Sequence, residues 1–331
     1  MCHDWSGLTP EVVQRFSFVM LKPDVLLRNI LGDVLTLLEE QGFNLLGFRC
    51  GRLSDRQYRL MYEEGLLWSL DVWSHNAKAY EFGPVIGCLL WSKRDLAGSP
   101  AHDLLAGMKG SALPGRLAPD TIRWRLGATS RVFNVIHIPD NLCRAWSEAN
   151  AWFGAEYVCT VTRTRPIVDK VLIHRDVARH GYGLDRHAEP HASFLLVKLR
   201  LLHSIRSRTV LSSALDALIS ALEDYWQQWV EVLVRSPERG DPRRELASVL
   251  KNGECGYFQE LTVALDALQL QDQFYKSSVQ LLRVLGELDL CRETRLSMLD
   301  YAWYLLSACD VYASELEKYL VNTLFLYPTR S

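Results

Sequence analysis

The chain has 331 residues, of which 48% are hydrophobic and 23% are charged. This ordinary composition excludes a largely disordered, fibrous or low-complexity protein. The 37 basic and 39 acidic side chains give a formal charge of −2, which excludes a global basic field that would attract nucleic acid or an anionic membrane surface. At about 100 to 200 residues per domain the length predicts two domains, and any anion site has to be local.

Cysteine usage and the absence of long apolar runs indicate the compartment. The eight cysteines are scattered without a CxxC pair, which is typical of reduced, buried thiols. The segment MCHDW at the start has neither a basic nor an apolar signal region, and no stretch approaches 18 consecutive apolar residues. We therefore expect a cytoplasmic protein that is neither secreted nor membrane-spanning.

The first half of the chain alternates between strand and helix patterns. Strands are predicted over 16–21, 43–53, 84–91 and 131–136. Helices are predicted over 30–41, 54–64 and 95–108, and from Asp140 onward. Ser54 and Gln57 have the spacing of a capping box, and Asp140 is the predicted N-cap of the last helix. This order predicts an α+β fold with one sheet and helices on one face.

The pattern changes near residue 154. We predict a connecting segment over 154–192, with short strands at 157–161 and 167–173, after a first domain that spans 1–153. Leucine and aromatic residues recur at helical spacing from Ser193 onward. Residues 193–331 are therefore predicted to form a bundle of four to six helices.

One candidate site emerges at the ends of the predicted strands. His137 follows an apolar strand and precedes Pro139-Asp140, where a helix begins, so the positive end of a helix dipole is expected nearby. Lys22 also ends a strand. Arg123 and Asn134 add further hydrogen-bond donors. The group suits an anion, although a lone histidine at a strand end can equally be a structural residue bonded to a neighbour.

The residues resemble the nucleoside diphosphate kinase family from about Arg15 to Phe153. The resemblance is carried by an ordered set of segments and single residues: 18–24, Arg28, 31–33, 41–43, Tyr62, 83–85, Trp91, 119–123, 134–137, Asp140, Glu148 and 152–153. No single segment is diagnostic, but their order and spacing are specific.

This resemblance implies a ferredoxin-like βαββαβ domain that transfers phosphoryl groups in two steps. His137 would take the γ-phosphoryl of ATP or another nucleoside triphosphate, with Mg²⁺ on the nucleotide phosphates and no protein metal site. Glu148 matches the carboxylate that orients the histidine. Lys22 and Tyr62 match contacts to the transferring phosphate, and Arg123 and Asn134 match phosphate and ribose ligands. The family is commonly oligomeric, which implies a homo-oligomer.

Three positions depart from the family. Its phosphate-binding arginine and threonine fall at Ala106 and Ala112, and Pro139 replaces a serine that normally meets the orienting glutamate. Each lost charge-assisted hydrogen bond would weaken phosphate binding by about 1.5–3 kcal/mol. Lys109 and Arg116 in the same loop are possible compensating cations, the alternative being ordinary solvated side chains. The residue that stacks on the base is open among Trp68, Leu70 and Trp73.

Two functions follow from the residues. The first is a phosphotransferase that passes the phosphoryl group to a nucleoside diphosphate, or to another small-molecule acceptor selected by the C-terminal domain. The alternative is a catalytically impaired nucleotide-binding or scaffolding module, which the residues at the three departures favour. A third possibility is that the helical domain binds a protein partner.

Four histidines between residues 174 and 191 form a separate cluster: His174, His180, His187 and His191. A metal site and a second substrate contact are conceivable because imidazole is a common ligand. Pro190 interrupts the helical spacing of the last pair, and no cysteine stands at ligand spacing. We therefore interpret the cluster as a surface loop.

Overall fold

A computed structural model describes residues 8–62, 75–94, 96, 98–112, 116–128, 131–179, 190–208, 212–234, 255–267, 273–290, 296–309 and 311–326. The chain divides into two compact units, residues 1–185 and 186–331. The domain boundaries drawn from the sequence, at 153 and 193, stay predictions.

The described part of the first unit contains a four-stranded sheet and helices. The strands are β1 (Phe16–Leu21), β2 (Phe43–Gly51), β3 (Val85–Ser92) and β4 (Ile136–His137). The helices are α1 (Pro10–Arg15), α2 (Pro23–Leu27), α3 (Leu31–Glu40), α4 (Asp55–Met61), α5 (Ala101–Met108), α6 (Ile122–Arg125), α7 (Leu142–Phe153), α8 (Ala155–Thr164) and α9 (Lys170–Arg179).

The strands form one antiparallel sheet in the order β2-β3-β1-β4. In β1, Met20 pairs with His137 and Leu21 pairs with Ile136. This register brings the end of β1, and therefore Lys22, beside His137. The α+β class with a mostly helical C-terminal part is confirmed, and the strand order is that of a ferredoxin-like domain.

Helices cover both faces of the sheet, so the prediction of helices on one face is wrong. Phe16 packs edge-on against Trp146 of α7, with ring centroids 5.1 Å apart. On the opposite face, Ser17 bonds to α5 through His102, and Val19 lies in the core with residues of α3. All six residues of β1 are buried, and an unbroken apolar run of this kind is typical of a strand covered on both sides.

The fourth strand is much shorter than predicted. Only Ile136 and His137 pair with β1, whereas residues 131–136 were expected to be extended. The reason is Val135, whose φ of 72° lies in the left-handed region and breaks the extended backbone. The N-cap of α7 also differs by one residue: Asn141, rather than Asp140, accepts a hydrogen bond from the Arg144 amide. The capping box of Ser54 and Gln57 is confirmed.

Residues 155–164 and 170–179 are helical, where short strands were expected at 157–161 and 167–173. The strand prediction is wrong because β-branched composition is a weak indicator of strand, whereas Val158 and Val161 form one buried helical face. After α8 the chain returns to the edge strand β2, where the Val168 amide donates to the Leu45 carbonyl at 3.0 Å. Ile173 of α9 is fully buried in the same core. This segment covers part of an otherwise open sheet edge.

The described part of the second unit is made of helices: α10 (Pro190–Arg208), α11 (Ser213–Val234), α12 (Cys255–Ala267), α13 (Gln273–Leu290), α14 (Leu296–Ala308) and α15 (Glu315–Leu326). Their apolar faces form one core around Trp226, which is fully buried. This agrees with the predicted bundle. The predicted loop at 236–242 and the stripe at 246–250 lie outside the described residues. None of the described helices is both long and apolar enough to cross a membrane.

Candidate active site

His137 and Glu148 form the centre of the candidate site. The Nε2 atom of His137 lies 2.8 Å from Oε2 of Glu148, which projects from the second half of α7 and has a side chain only 2% exposed. A carboxylate oxygen only accepts, so a neutral His137 carries its proton on Nε2 and keeps a lone pair on Nδ1. Nδ1 makes no hydrogen bond to a described residue.

Lys22 is buried beside the strand that ends at His137. Its Nζ donates to the Val132 carbonyl and, at 3.1 Å, to Oδ1 of Asn134. Burial lowers the pKa of Lys22 to about 7, an effect that the Asp24 carboxylate opposes and Arg123 reinforces. The ammonium is therefore held in a position where its charge is sensitive to pH near neutrality.

The backbone before His137 is strained. One hydrogen bond to a side chain and one to the backbone hold it in place. Val135, a β-branched residue in the left-handed region, donates its amide to Asp24 Oδ2 at 2.9 Å. Its carbonyl accepts from the Lys22 amide, also at 2.9 Å. Such a conformation costs on the order of 1–3 kcal/mol and persists only where the surroundings impose it. Burial raises the pKa of the Asp24 carboxyl.

Arg123 on α6 joins two loops at the site. Its guanidinium donates to the Gly110 carbonyl at 3.0 Å and to the Ile136 carbonyl, next to His137, at 2.9 Å. Burial lowers the pKa of Arg123 to about 10, which still leaves it protonated at neutral pH. Its Nε is buried without a hydrogen-bond partner.

Tyr62 follows α4 and lies against the His137 ring, with centroids 5.4 Å apart. Its hydroxyl is 2.5 Å from the Tyr80 hydroxyl. Burial raises the pKa of Tyr62 to about 12, so Tyr62 is a neutral hydrogen-bonding group. The Tyr80 ring lies 5.6 Å from the Lys22 ammonium. The structure thus brings Lys22, Tyr62, Arg123, Asn134, His137 and Glu148 into one cluster.

The two predicted compensating cations occupy different environments. Lys109 donates to the Ile138 carbonyl at 2.9 Å and lies 3.3 Å from Asp140 Oδ1, so it contacts the residue after His137. Burial lowers the pKa of Lys109. Arg116 is exposed and makes no hydrogen bond or ion pair within the described part of the chain. Only Lys109 is placed next to the histidine.

His102 is a site residue that sequence reasoning missed. It is fully buried on α5, its Nε2 lies 2.7 Å from the Pro139 carbonyl, and its Nδ1 lies 2.8 Å from the Ser17 hydroxyl. Since the carbonyl only accepts, Nε2 carries the proton and Nδ1 accepts from Ser17. Burial lowers the pKa of His102 to about 4. The sequence feature that could have indicated a buried polar partner is Ser17, the one polar residue in the otherwise apolar strand β1.

Two of the remaining sequence candidates carry no functional side-chain group, and others lie outside the described residues. Ala106 packs against the core, and neither it nor Ala112 carries a polar side-chain group. Trp68, Leu70 and Trp73, the candidates for base stacking, lie outside the described residues, as do His180 and His187. Among residues that the structure describes, no group of three or more histidines, cysteines or acidic residues could hold a metal ion.

The cluster has the chemistry of a phosphoryl-transfer site: a nucleophilic ring nitrogen, cations nearby, and a carboxylate on the far side of the ring. The model of the family described as "Nucleoside diphosphate kinase" matches residues 15–158. Residues 15–158 therefore resemble a nucleoside diphosphate kinase domain. The matched range contains every residue of the cluster, and it supports kinase or phosphotransferase chemistry on nucleotides.

The relatives of this kinase domain are distant. A nucleoside diphosphate kinase of Sulfurisphaera tokodaii is 28% identical over 156 residues, which cover 45% of this chain and 94% of that protein. One from Staphylococcus aureus strain MSSA476 is 28% identical over 151 residues, with the same coverage of each chain. A solved nucleoside diphosphate kinase from Encephalitozoon cuniculi has a TM-score of 0.37 at 23% identity, covering 42% of this chain and 89% of that one.

Proposed function

We propose that this chain transfers the γ-phosphoryl group of a nucleoside triphosphate through a phosphohistidine at His137. The observation that supports this most directly is the 2.8 Å contact of His137 Nε2 with Glu148, inside a nucleoside diphosphate kinase domain. In this proposal the contact occupies Nε2, so Nδ1 is the nitrogen that attacks the γ-phosphorus.

The first step forms a bond between Nδ1 and the γ-phosphorus while the bond to the bridging oxygen breaks, and the nucleoside diphosphate leaves with that electron pair. The ring then carries substituents on both nitrogens and a positive charge, which the Glu148 carboxylate offsets. In the second step an acceptor oxygen attacks the phosphorus, and the Nδ1–phosphorus bond breaks. No net oxidation occurs, and the neutral histidine is regenerated.

The cations around His137 have the role of neutralising phosphate oxygens. In this proposal Lys22 and the Arg123 Nε bind non-transferred oxygens, Lys109 adds charge in place of the family arginine lost at Ala106, and Asn134 and Tyr62 donate hydrogen bonds. Mg²⁺ enters with the nucleotide and supplies further charge neutralisation on its phosphates.

Incubation with γ-³²P-labelled MgATP tests the proposal. The full chain is expected to acquire one acid-labile, base-stable phosphate, and unlabelled nucleoside diphosphate is expected to remove it. A parallel incubation with α-labelled ATP must leave the protein unlabelled. Binding of MgATP without any protein-bound phosphate would contradict the proposal.

The second candidate function is a nucleotide-binding module without turnover. It is favoured by Ala106 and Ala112, and by the fact that Lys22, Lys109 and Arg123 already donate to backbone carbonyls. A ligand that needs those donors has to compete with the carbonyls. The labelling experiment separates the two functions, because this module would bind MgATP and acquire no phosphate.

Nucleotide affinity is expected to fall as the pH rises, because the binding form of Lys22 is the ammonium. Burial lowers the pKa of Lys22 to about 7. In the protein without nucleotide, the Lys22 side chain is therefore mostly protonated at pH 6 and mostly neutral at pH 8.5. Linkage then predicts that MgATP binds about 10- to 30-fold more weakly at pH 8.5 than at pH 6. Titration calorimetry in a His137→Gln background, where no transfer occurs, measures this dependence.

Two variants identify the titrating group. Lys22→Arg keeps its charge throughout this range, so its affinity should change less than threefold between the two pH values. Lys109→Arg is the matched control, because burial lowers the pKa of Lys109 as well. If the pH dependence of MgATP affinity disappears in Lys109→Arg and persists in Lys22→Arg, the titrating group is Lys109, and the prediction for Lys22 is refuted.

The acceptor is a further part of the proposal. A nucleoside diphosphate is the acceptor that the family implies, and residues 193–331 are proposed to select it or to favour another small molecule. The isolated phosphoprotein, chased with a panel of nucleoside diphosphates and sugar or nucleoside monophosphates, identifies the compound that removes the label fastest. We also propose a cytoplasmic location, in keeping with free thiols at Cys50, Cys88, Cys143, Cys159 and Cys309.

A further inference from the structure

Only one of the two carboxylate oxygens of Glu148 makes a hydrogen bond. Glu148 Oε2 contacts His137, whereas Glu148 Oε1 is buried and has no hydrogen-bond partner. The resemblance places a serine hydroxyl near this carboxylate, and Pro139 provides none. The nearest cation is Arg144, one helical turn earlier on α7, whose Nε lies 3.9 Å from Oε1. Arg144 therefore faces the unbonded oxygen.

The same guanidinium reaches a second element of the site. Its Nη2 donates to the Leu60 carbonyl at 3.0 Å, in the last turn of α4, where carbonyls lack partners within the helix. The residue after this helix is Tyr62, whose ring lies against that of His137. Arg144 thus contacts both Glu148 and the helix end that places Tyr62.

Local helix stability does not account for an arginine here. Residue 144 lies in the first turn of α7, which contains no acidic residue, and a cation at a helix N-terminus is unfavourable to the dipole. The order Arg then Glu at a spacing of four is also the weaker orientation for a helical ion pair. The side chain is only 26% exposed, so it is not an ordinary solvated cation.

We propose that Arg144 is a positioning residue for His137, acting through Glu148 and through the end of α4. With Arg144 in place, the carboxylate keeps one orientation toward Nε2, and the His137 ring keeps Nδ1 free. In this role Arg144 replaces the interaction that the family obtains from the hydroxyl at the position of Pro139. The inference rests on the proposed function for its catalytic consequence, but its structural part holds without turnover.

The structural part is tested by NMR of protein labelled with ¹⁵N only in histidine. In the wild type, the His137 signals, identified by their loss in His137→Gln, are expected to show the tautomer protonated on Nε2. Arg144→Gln is expected to give a mixture of tautomers, and Arg144→Lys, which keeps the charge, to restore most of the wild-type pattern. An unchanged spectrum in Arg144→Gln would overturn the proposal whether or not the protein transfers phosphate.

The catalytic part is tested by single-turnover labelling with MgATP. Arg144→Gln is expected to slow phosphorylation at saturating MgATP by about 10- to 100-fold, while the dissociation constant of MgATP stays within about twofold of the wild type. A purely structural loss would instead reduce the amplitude or weaken binding. A wild-type chain that never labels would refute the proposed function and leave the NMR result to decide on Arg144.

Arg15→Gln is the matched control. Arg15 also donates to two backbone carbonyls, those of Ser92 and Arg94, at 3.1 Å each. It precedes β1, at the opposite end of that strand from Lys22. Both the tautomer of His137 and the labelling rate should be unchanged in this variant. Equal effects in Arg15→Gln and Arg144→Gln would show a general loss of structure and would refute the positioning role.

Discussion

Replacing His137 with glutamine is expected to abolish acid-labile labelling and to reduce phosphoryl transfer at least about 1,000-fold, since it removes the ring nitrogen that forms the proposed covalent intermediate. Glutamine has a similar length and can still contact Glu148, so the fold should survive. The measurement is single-turnover transfer from γ-labelled MgATP, followed by mapping of the labelled peptide.

Two further variants complete this experiment. His203→Gln, at an exposed position on α10, should label like the wild type. Glu148→Gln removes the charge that offsets the phosphorylated ring and should slow labelling by about 100-fold, with the phosphate still on His137. Labelling of His137→Gln at the wild-type rate would show that another residue is the nucleophile.

Replacing His102 with leucine is expected to lower the free energy of unfolding of the first unit by about 2–4 kcal/mol at pH 7, because two buried groups lose their partner. These groups are the Pro139 carbonyl and the Ser17 hydroxyl. Urea unfolding, with hydrogen exchange of the β1 amides to report on this unit, gives the value.

The pH dependence distinguishes this histidine from a merely bulky core residue. Burial lowers the pKa of His102 from 6.5 to about 4, so between these values the unfolded chain binds more protons than the folded one, and stability falls as the pH falls. The wild type should therefore lose about 2 kcal/mol between pH 7 and pH 5 on account of His102. His102→Leu lacks this loss, so its deficit should shrink at pH 5.

The control for this prediction is the same substitution on the surface. His174 is exposed on α9, and His174→Leu should change stability by less than about 0.5 kcal/mol at pH 7. Ser17→Ala removes only one of the two contacts and should cost less than His102→Leu. A deficit of His102→Leu that is the same at pH 7 and pH 5 would refute the buried neutral imidazole.

The cluster around His137 could be proposed from the sequence because Lys22 and His137 stand at strand ends and the residues of the cluster keep a recognisable order. Lys22 follows a strand of six apolar residues, and His137 follows the strand that pairs with it. Glu148 lies on α7, whose apolar stripe fixes which way the helix faces. Local periodicity and resemblance were therefore sufficient for these side chains.

His102 and Arg144 could not be predicted in this way. Nothing adjacent in the sequence indicates that His102 meets Ser17, 85 residues away, or that Arg144 meets Leu60, 84 residues away. The prediction of two strands within 155–179 was wrong for a related reason. The apolar residues of this segment are buried as helical faces against β2, and burial against a distant element overrides local propensity.

The sequence by itself determined that an anion site had to be local, because positive and negative charges nearly cancel over 331 residues. It also determined the family resemblance of the first domain and the helical character of the second, because both depend on the order and spacing of residues. Only the tertiary structure decided how that site is built. Burial lowers the pKa of Lys22, and the backbone at Val135 is strained. Arg123 of α6 donates to the carbonyl next to His137, and Glu148 of α7 accepts from the His137 ring. These effects depend on contacts between residues far apart in the chain.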